Sequence, residues 1–175
     1  MAARARPNPT GRESPLGDEE LIVTKTDPQG RIAYANDVFL RVSDLHLAEA
    51  LGQPHSLIRH PDMPRSVFKL MWDTIGAGGE FFGYVVNLAT NGDHYWVFAH
   101  VTPSRDAAGR VTGFHSSRRK PDPAQVARIE PIYRRLIEEE RRHDDRRAGL
   151  QAGTRMFEAM LAERKVSYDA FAFSL

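Results

Sequence analysis

The chain has 175 residues, a net charge of +1 and no cysteine, and it is 41% hydrophobic and 27% charged. That size and mixture suit one soluble domain with an extension, and the near-neutral charge supplies no global attraction to nucleic acid or membrane. The absence of cysteine excludes disulfides, thiolate catalysis, cysteine-held iron–sulfur or zinc centres and photochemistry through a cysteinyl adduct, and no apolar run approaches the roughly 20 residues of a membrane-spanning helix.

Residues 1–18 carry Arg4, Arg6 and Arg12 but no apolar stretch of the secretory kind. They read as a disordered leader and the protein as cytoplasmic. Leu21–Thr26, rich in branched residues, predicts a strand. Asp27-Pro28-Gln29-Gly30 is a turn, and Arg31–Tyr34 returns as a second strand. Asn36 can cap a short helix holding Val38, Phe39 and Val42. From Ser43 to Pro64 the chain is irregular, with brief helical turns at most. Pro64 suits the first turn of a helix whose apolar stripe is Val67, Phe68, Met71, Trp72 and Ile75, stopped by Gly76, Gly78 and Gly79. Three strands follow: Phe81–Ala89, a tight turn at Asn91-Gly92, His94–Thr102 broken by Pro103, a turn at Asp106–Gly109, and Arg110–Ser117.

The order ββ, short helices, one longer helix, then βββ implies an α+β fold, a sheet with helices on one face. Lys120-Pro121-Asp122-Pro123 marks a boundary between a domain over 19–120 and a helical extension over 121–175. In that extension Val126, Ile129, Tyr133, Leu136 and Ile137 recur at helical spacing. Arg141–Arg147 reads as a solvated helix face, Gly149 and Gly153 as helix breakers, and Tyr168–Leu175 as an apolar tail. The tail has two readings, a segment docked in a groove or a cover over the sheet edge.

The most unusual segment is Gly52-Gln53-Pro54-His55-Ser56-Leu57-Ile58-Arg59-His60-Pro61-Asp62-Met63-Pro64. Each X-Pro step disfavours the α conformation of the preceding residue. Two imidazoles, a guanidinium and a carboxylate therefore sit on a stiff, irregular stretch suited to a pocket wall. Together with Thr24-Lys25-Thr26-Asp27, Tyr34-Ala35-Asn36, Met71-Trp72, Asn91-Gly92-Asp93-His94-Tyr95-Trp96-Val97 and Val101-Thr102-Pro103, this run closely resembles the PAS sensor domain of bacterial aerotaxis receptors over roughly residues 19–120. The resemblance implies a PAS fold, a five-stranded antiparallel sheet cradling a cofactor under short helices, followed here by C-terminal helices. It also implies non-covalently bound FAD whose redox state reports on respiration and oxygen. On the matching positions Arg59, His60 and Asp62 would bind the flavin, His55 would stand in the same wall, and Asn87 would face the isoalloxazine. Asn36 and Trp72, from the matching motifs, complete the candidate cofactor-binding set, although Trp72 and Trp96 read first as core packing.

The chemistry is consistent with that expectation. A guanidinium can donate two parallel hydrogen bonds to a phosphate, an amide matches the donors and acceptors of the isoalloxazine edge, and histidine can adjust its proton as flavin charge changes. The chain departs from the family at Phe81, where a tryptophan is usual, and around Asn87, where Val86 and Leu88–Thr90 replace the usual basic residues. A single axial histidine, His55 or His60, leaves a haem-binding gas sensor as an alternative, and a cofactor-free PAS dimerisation or adaptor module is another. No metal motif of standard spacing, nucleophile–base pair or phosphate loop is present, so the chain reads as non-enzymatic. A receptor's membrane anchor and signalling coiled coil are not found by Leu175. The expectation is a stand-alone soluble sensor that forms a homodimer or contacts a chemotaxis or kinase signalling protein, without nucleic acid or membrane insertion.

Overall fold

β1 (Ile22–Thr26) and β2 (Ile32–Ala35) form the expected hairpin. The Asp27 carboxylate accepts from the backbone N–H of Gln29 and Arg31, and Gly30 takes a φ of +77°. The computed structural model, which describes residues 6–175, joins this hairpin to β3 (Phe81–Leu88), β4 (His94–Arg105) and β5 (Val111–Arg119). The result is a five-stranded antiparallel sheet of order β2-β1-β5-β4-β3. β4 does not stop at Pro103. β3 pairs with it only as far as Phe81↔Val101, so beyond Val101 one side of β4 is an open edge where a missing N–H costs no ladder bond.

Between β2 and β3 lie α1 (Asp37–Val42), α2 (Leu47–Ala50), a 3₁₀ turn (His55–Ile58) and α3 (Arg65–Gly76). Asn36 caps α1 by accepting from Phe39 N–H. Phe39, Val42, Ile58, Val67 and Ile75 are buried against Ile22, Ile32, Tyr95 and Val97 of the sheet. The alternation of β3 is blurred because both its faces are covered. Phe81, Val85 and Asn87 share one face with Val97, Ala99 and Val101. Phe82, Tyr84 and Val86 share the other with Trp96, Phe98 and His100.

The C-terminal extension forms α4 (Pro123–Arg141), α5 (Arg146–Arg164) and α6 (Tyr168–Ser174). Asp122 and Asp145 cap the first two. Tyr133 of α4 donates to the Tyr84 carbonyl on the outer edge of β3, and Trp96 stacks near Tyr133. Phe173 of α6 lies against Phe82 and Phe98 on the far face of the sheet. The Tyr168–Leu175 tail thus covers the β3 edge and part of that face.

Three expectations are corrected. Gly149 and Gly153 do not break a helix: they sit inside α5, where a Cβ would come within 2.2 Å of the Glu140 carbonyl and 2.7 Å of the Glu140 side chain. They permit a close crossing of α4. The charged run Arg141–Arg147 spans the last residue of α4, the turn and the first residues of α5 rather than one helix face. The disordered leader is, from residue 6, ordered in part: Thr10 and Ser14 N–H donate to the carbonyls of Gly92 and His94, Ser14 Oγ donates to the Val42 carbonyl, and Leu16 is buried. Backbone groups left free by the β3–β4 turn capture this segment. The rest of that expectation, over residues 1–5, lies outside the described residues.

Candidate functional site

A cavity of about 410 Å³ lies between the sheet and the wall made by the 3₁₀ turn and α3, within the size range of small-molecule sites. Its apolar lining is Phe68, Met71, Trp72 and Ile75 from α3, with Val85, Ala99, Val101 and Phe114 from the sheet. The turn residue Gly30 makes room at the rim, where an added Cβ would meet the Trp72 ring at 2.9 Å. Trp72 stands edge-on to Phe114 with ring centres 5.4 Å apart. It is 40% exposed, so it closes the rim and is not the core residue its helical stripe implied.

The proline-rich segment forms the wall as its stiffness predicts. Gly52 N–H donates to the Ile32 carbonyl and His55 N–H to the Gly30 carbonyl, which lays the segment along the free edge of β2. His55 then points into the cavity, with Nε2 3.5 Å from Thr24 Oγ1 and its ring near Phe39. Burial, reinforced by the Arg118 charge, pushes its pKa down to about 3, so it is neutral at physiological pH. Arg59 lines the cavity too. Its backbone forms an isolated antiparallel bridge to Asn87, and its guanidinium lies 4.4 Å over the Phe68 ring. Asn87 projects from β3 into the cavity, buried, and its Nδ2 has no hydrogen-bond partner.

Of the seven residues expected to bind a cofactor, Arg59, His55, Asn87 and Trp72 line the cavity, and His60, Asp62 and Asn36 do not. The His60 ring turns toward His94, and its Nδ1 accepts from Asp62 N–H at 3.1 Å. Asp62 is an exposed neighbour of Arg141. The direction of the chain after the 3₁₀ turn decides this: Arg59 faces in, so the next residue faces out. The amide of Asn36 is consumed by the fold, accepting from Val23 and Phe39 N–H and donating to the Leu21 carbonyl.

Sequence reasoning missed Thr24, Thr26, Ser116 and Arg118, all lining the cavity. The alternation running back from Phe114 through Ser116 to Arg118 on β5 held the signal, hidden by the neighbouring basic residues Arg119 and Lys120. Thr26 Oγ1 and two guanidinium nitrogens of Arg118 also lack partners. Among the described residues no aspartate or glutamate lines the cavity. An apolar slot with unpartnered donors and a buried guanidinium at Arg118 fits a flat, acceptor-rich, anionic molecule, which a flavin nucleotide is.

A family model described as a PAS fold matches residues 32–118. The aerotaxis receptor of Escherichia coli strain K12 is 40% identical over 132 residues, 75% of this chain and 26% of that protein. The nitrogen fixation regulatory protein of Klebsiella pneumoniae is 29% identical over 99 residues, 57% of this chain and 20% of that protein. The chain thus spans about a quarter or less of these relatives' lengths. The dark structure of the blue-light photoreceptor Aureochrome1 LOV is similar with a TM-score of 0.55 and 22% identity, over 67% of this chain and 85% of that one. A light-oxygen-voltage domain studied with a flavin analogue gives 0.56 and 17% identity, over 66% and 86%. These structural likenesses establish the fold.

Proposed function

This chain is a member of the PAS family, with a sensor region related to that of an aerotaxis receptor, and on that premise we propose that it is a cytoplasmic redox or oxygen sensor that binds FAD non-covalently. The observation that carries the reading is the buried Asn87 amide, its Nδ2 unpartnered in an apolar cavity that also holds Arg59. A buried donor left unmade is costly, and the edge of a flavin ring offers the acceptors that relieve it.

Bound FAD would supply a ring system whose charge and proton content change with oxidation state. The chain's own groups do the rest. Asn87 orients the ring, Arg59 offsets phosphate charge, and Phe114 with Trp72 restrict water at the rim. His55, kept neutral by burial, offers one donor and one acceptor without adding charge.

Output passes through α3. Four of its residues line the cavity, and its N-terminus is held by Glu140 of α4. The Glu140 carboxylate is buried and accepts from Ser66 N–H at 2.8 Å and from Arg65 N–H and Nε at 3.1 Å each. A rearrangement of the cavity wall therefore bears directly on the α4–α5 pair, the surface offered to a second copy or to a chemotaxis or kinase signalling protein.

The test is the absorbance spectrum of purified protein with the cofactor released and identified by chromatography, followed by hydrogen exchange of oxidised and reduced samples. The reading expects FAD and a redox-dependent change in α4 and α5 protection. A Soret band would replace it with a haem sensor and make His55 the first candidate ligand. A sample that takes up neither FAD nor haem would leave a cofactor-free PAS module.

A further inference from the structure

Arg118 is buried, with 3% of its surface exposed. One terminal nitrogen donates to Thr24 Oγ1, and the guanidinium lies 5.5 Å from the Phe39 ring centre. Nε and Nη1 have no partner. Among the described residues no carboxylate pairs with it. The cavity lining contains no acid, and the titratable groups that interact with Arg118 are His55, Tyr95 and His115, of which none is a carboxylate and His115 is itself pushed toward its neutral form by burial. His55 is neutral, and burial pushes the Tyr95 hydroxyl up to about 12, so that group is neutral as well. Arg59, by contrast, has the Glu140 charge nearby. A buried guanidinium without counter-ion or full hydrogen bonding opposes folding. Its position is specific: Asn87 faces Tyr95 across the β3–β4 ladder, whereas Arg118 faces Ala99 across the β4–β5 ladder, so the two address different parts of one bound molecule.

Resting on the flavin reading, we propose that Arg118 is the counter-cation for negative charge on the flavin ring system, a residue that favours the reduced cofactor over the oxidised one. Two electrons and one proton, delivered by dithionite in a titration, leave the ring one negative charge richer. A fixed cation in a water-poor cavity stabilises that state most. Arg59 neutralises phosphate in both oxidation states, whereas Arg118 discriminates between them.

The experiment is a midpoint-potential titration of the FAD-loaded protein, as wild type, Arg118→Met and Arg118→Lys, together with thermal melts of the ligand-free forms. Arg118→Met should shift the reduction equilibrium at least tenfold toward the oxidised cofactor, ~30 mV for a two-electron couple. Arg118→Lys should hold most of the wild-type value, and ligand-free Arg118→Met should melt no lower than wild type. An unchanged potential in Arg118→Met overturns the assignment and leaves the flavin reading intact. A ligand-free melting point well below wild type in Arg118→Met makes Arg118 a structural residue and also overturns it. Wild-type protein that takes up no FAD overturns both.

Discussion

Asn87 and His55 show opposite ways for a polar residue to be buried. The Asn87 Nδ2 is left unmade in the fold, so Asn87→Leu should weaken FAD binding by about tenfold, the worth of one lost hydrogen bond, while ligand-free protein keeps its melting temperature. Fluorescence titration and a thermal melt check both halves. His55 instead loses its charge on folding. Its pKa falls from the ordinary 6.5 to about 3, so between those values the unfolded chain binds a proton that the native chain refuses. Stability from this group is complete above pH 6.5 and declines as pH falls toward 3. His60 and His115 are lowered in the same direction by burial. The melting temperature should therefore drop between pH 7 and pH 5, and His55→Gln should flatten that slope by up to ~1.4 kcal/mol per pH unit. Superimposable profiles for the two proteins would show that His55 is charged in the native state. His55 and Arg59 were legible in the sequence because the proline-rich run marks them, and Asn87 was reached only through the family resemblance. His60 and Asp62 were not separable from them, because which way a side chain points after a single 3₁₀ turn is set by neighbours far away in sequence, whereas Asn36 does the capping work that its position before a helix implied.

At the scale of elements, the junction of α3, α4 and α5 is the feature that couples cavity to surface. Glu140 neutralises the positive end of α3 and takes its first N–H groups, which no local side chain caps. Glu140→Ala should cost about 2 kcal/mol or more by leaving those donors unmade, seen as a lower urea midpoint at unchanged m-value. Gly149→Ala places a methyl against the Glu140 carbonyl, and the strain of overpacking should cost ~1–3 kcal/mol. A Gly149→Ala protein as stable as wild type, or more so, would mean that the α4–α5 crossing is loose. Helical periodicity predicted α4. It could not show that the two glycines are contact residues, since a glycine in a helix pattern reads as a breaker unless the partner helix is known.

For the whole molecule, the extension and the segment before β1 act as covers for sheet edges and faces. β3 is one of the two edge strands, and an open strand edge invites pairing with another chain. Here Tyr133, Tyr168 and Phe173 lie over it, with Tyr84 Oη donating to the Ala172 carbonyl. A chain ending at Lys120 should therefore self-associate, with light scattering reporting dimers or larger species at concentrations where the full chain does not. A monodisperse truncated chain would show that the β3 edge is protected without these helices. Among the described residues no helix is long and apolar enough to cross a membrane.

The sequence by itself determined the fold class, the order of strands and helices, and the stretch that forms the cavity wall, because proline, glycine and two- and four-residue periodicities act over short range. Tertiary structure alone decided which polar groups are left unanswered. Arg118 looks like one more basic residue at a strand end until β1, β4 and the His55 turn close around it. Whether a buried charge has a counter-ion depends on residues nearly a hundred positions away, and no local pattern in the chain records that distance.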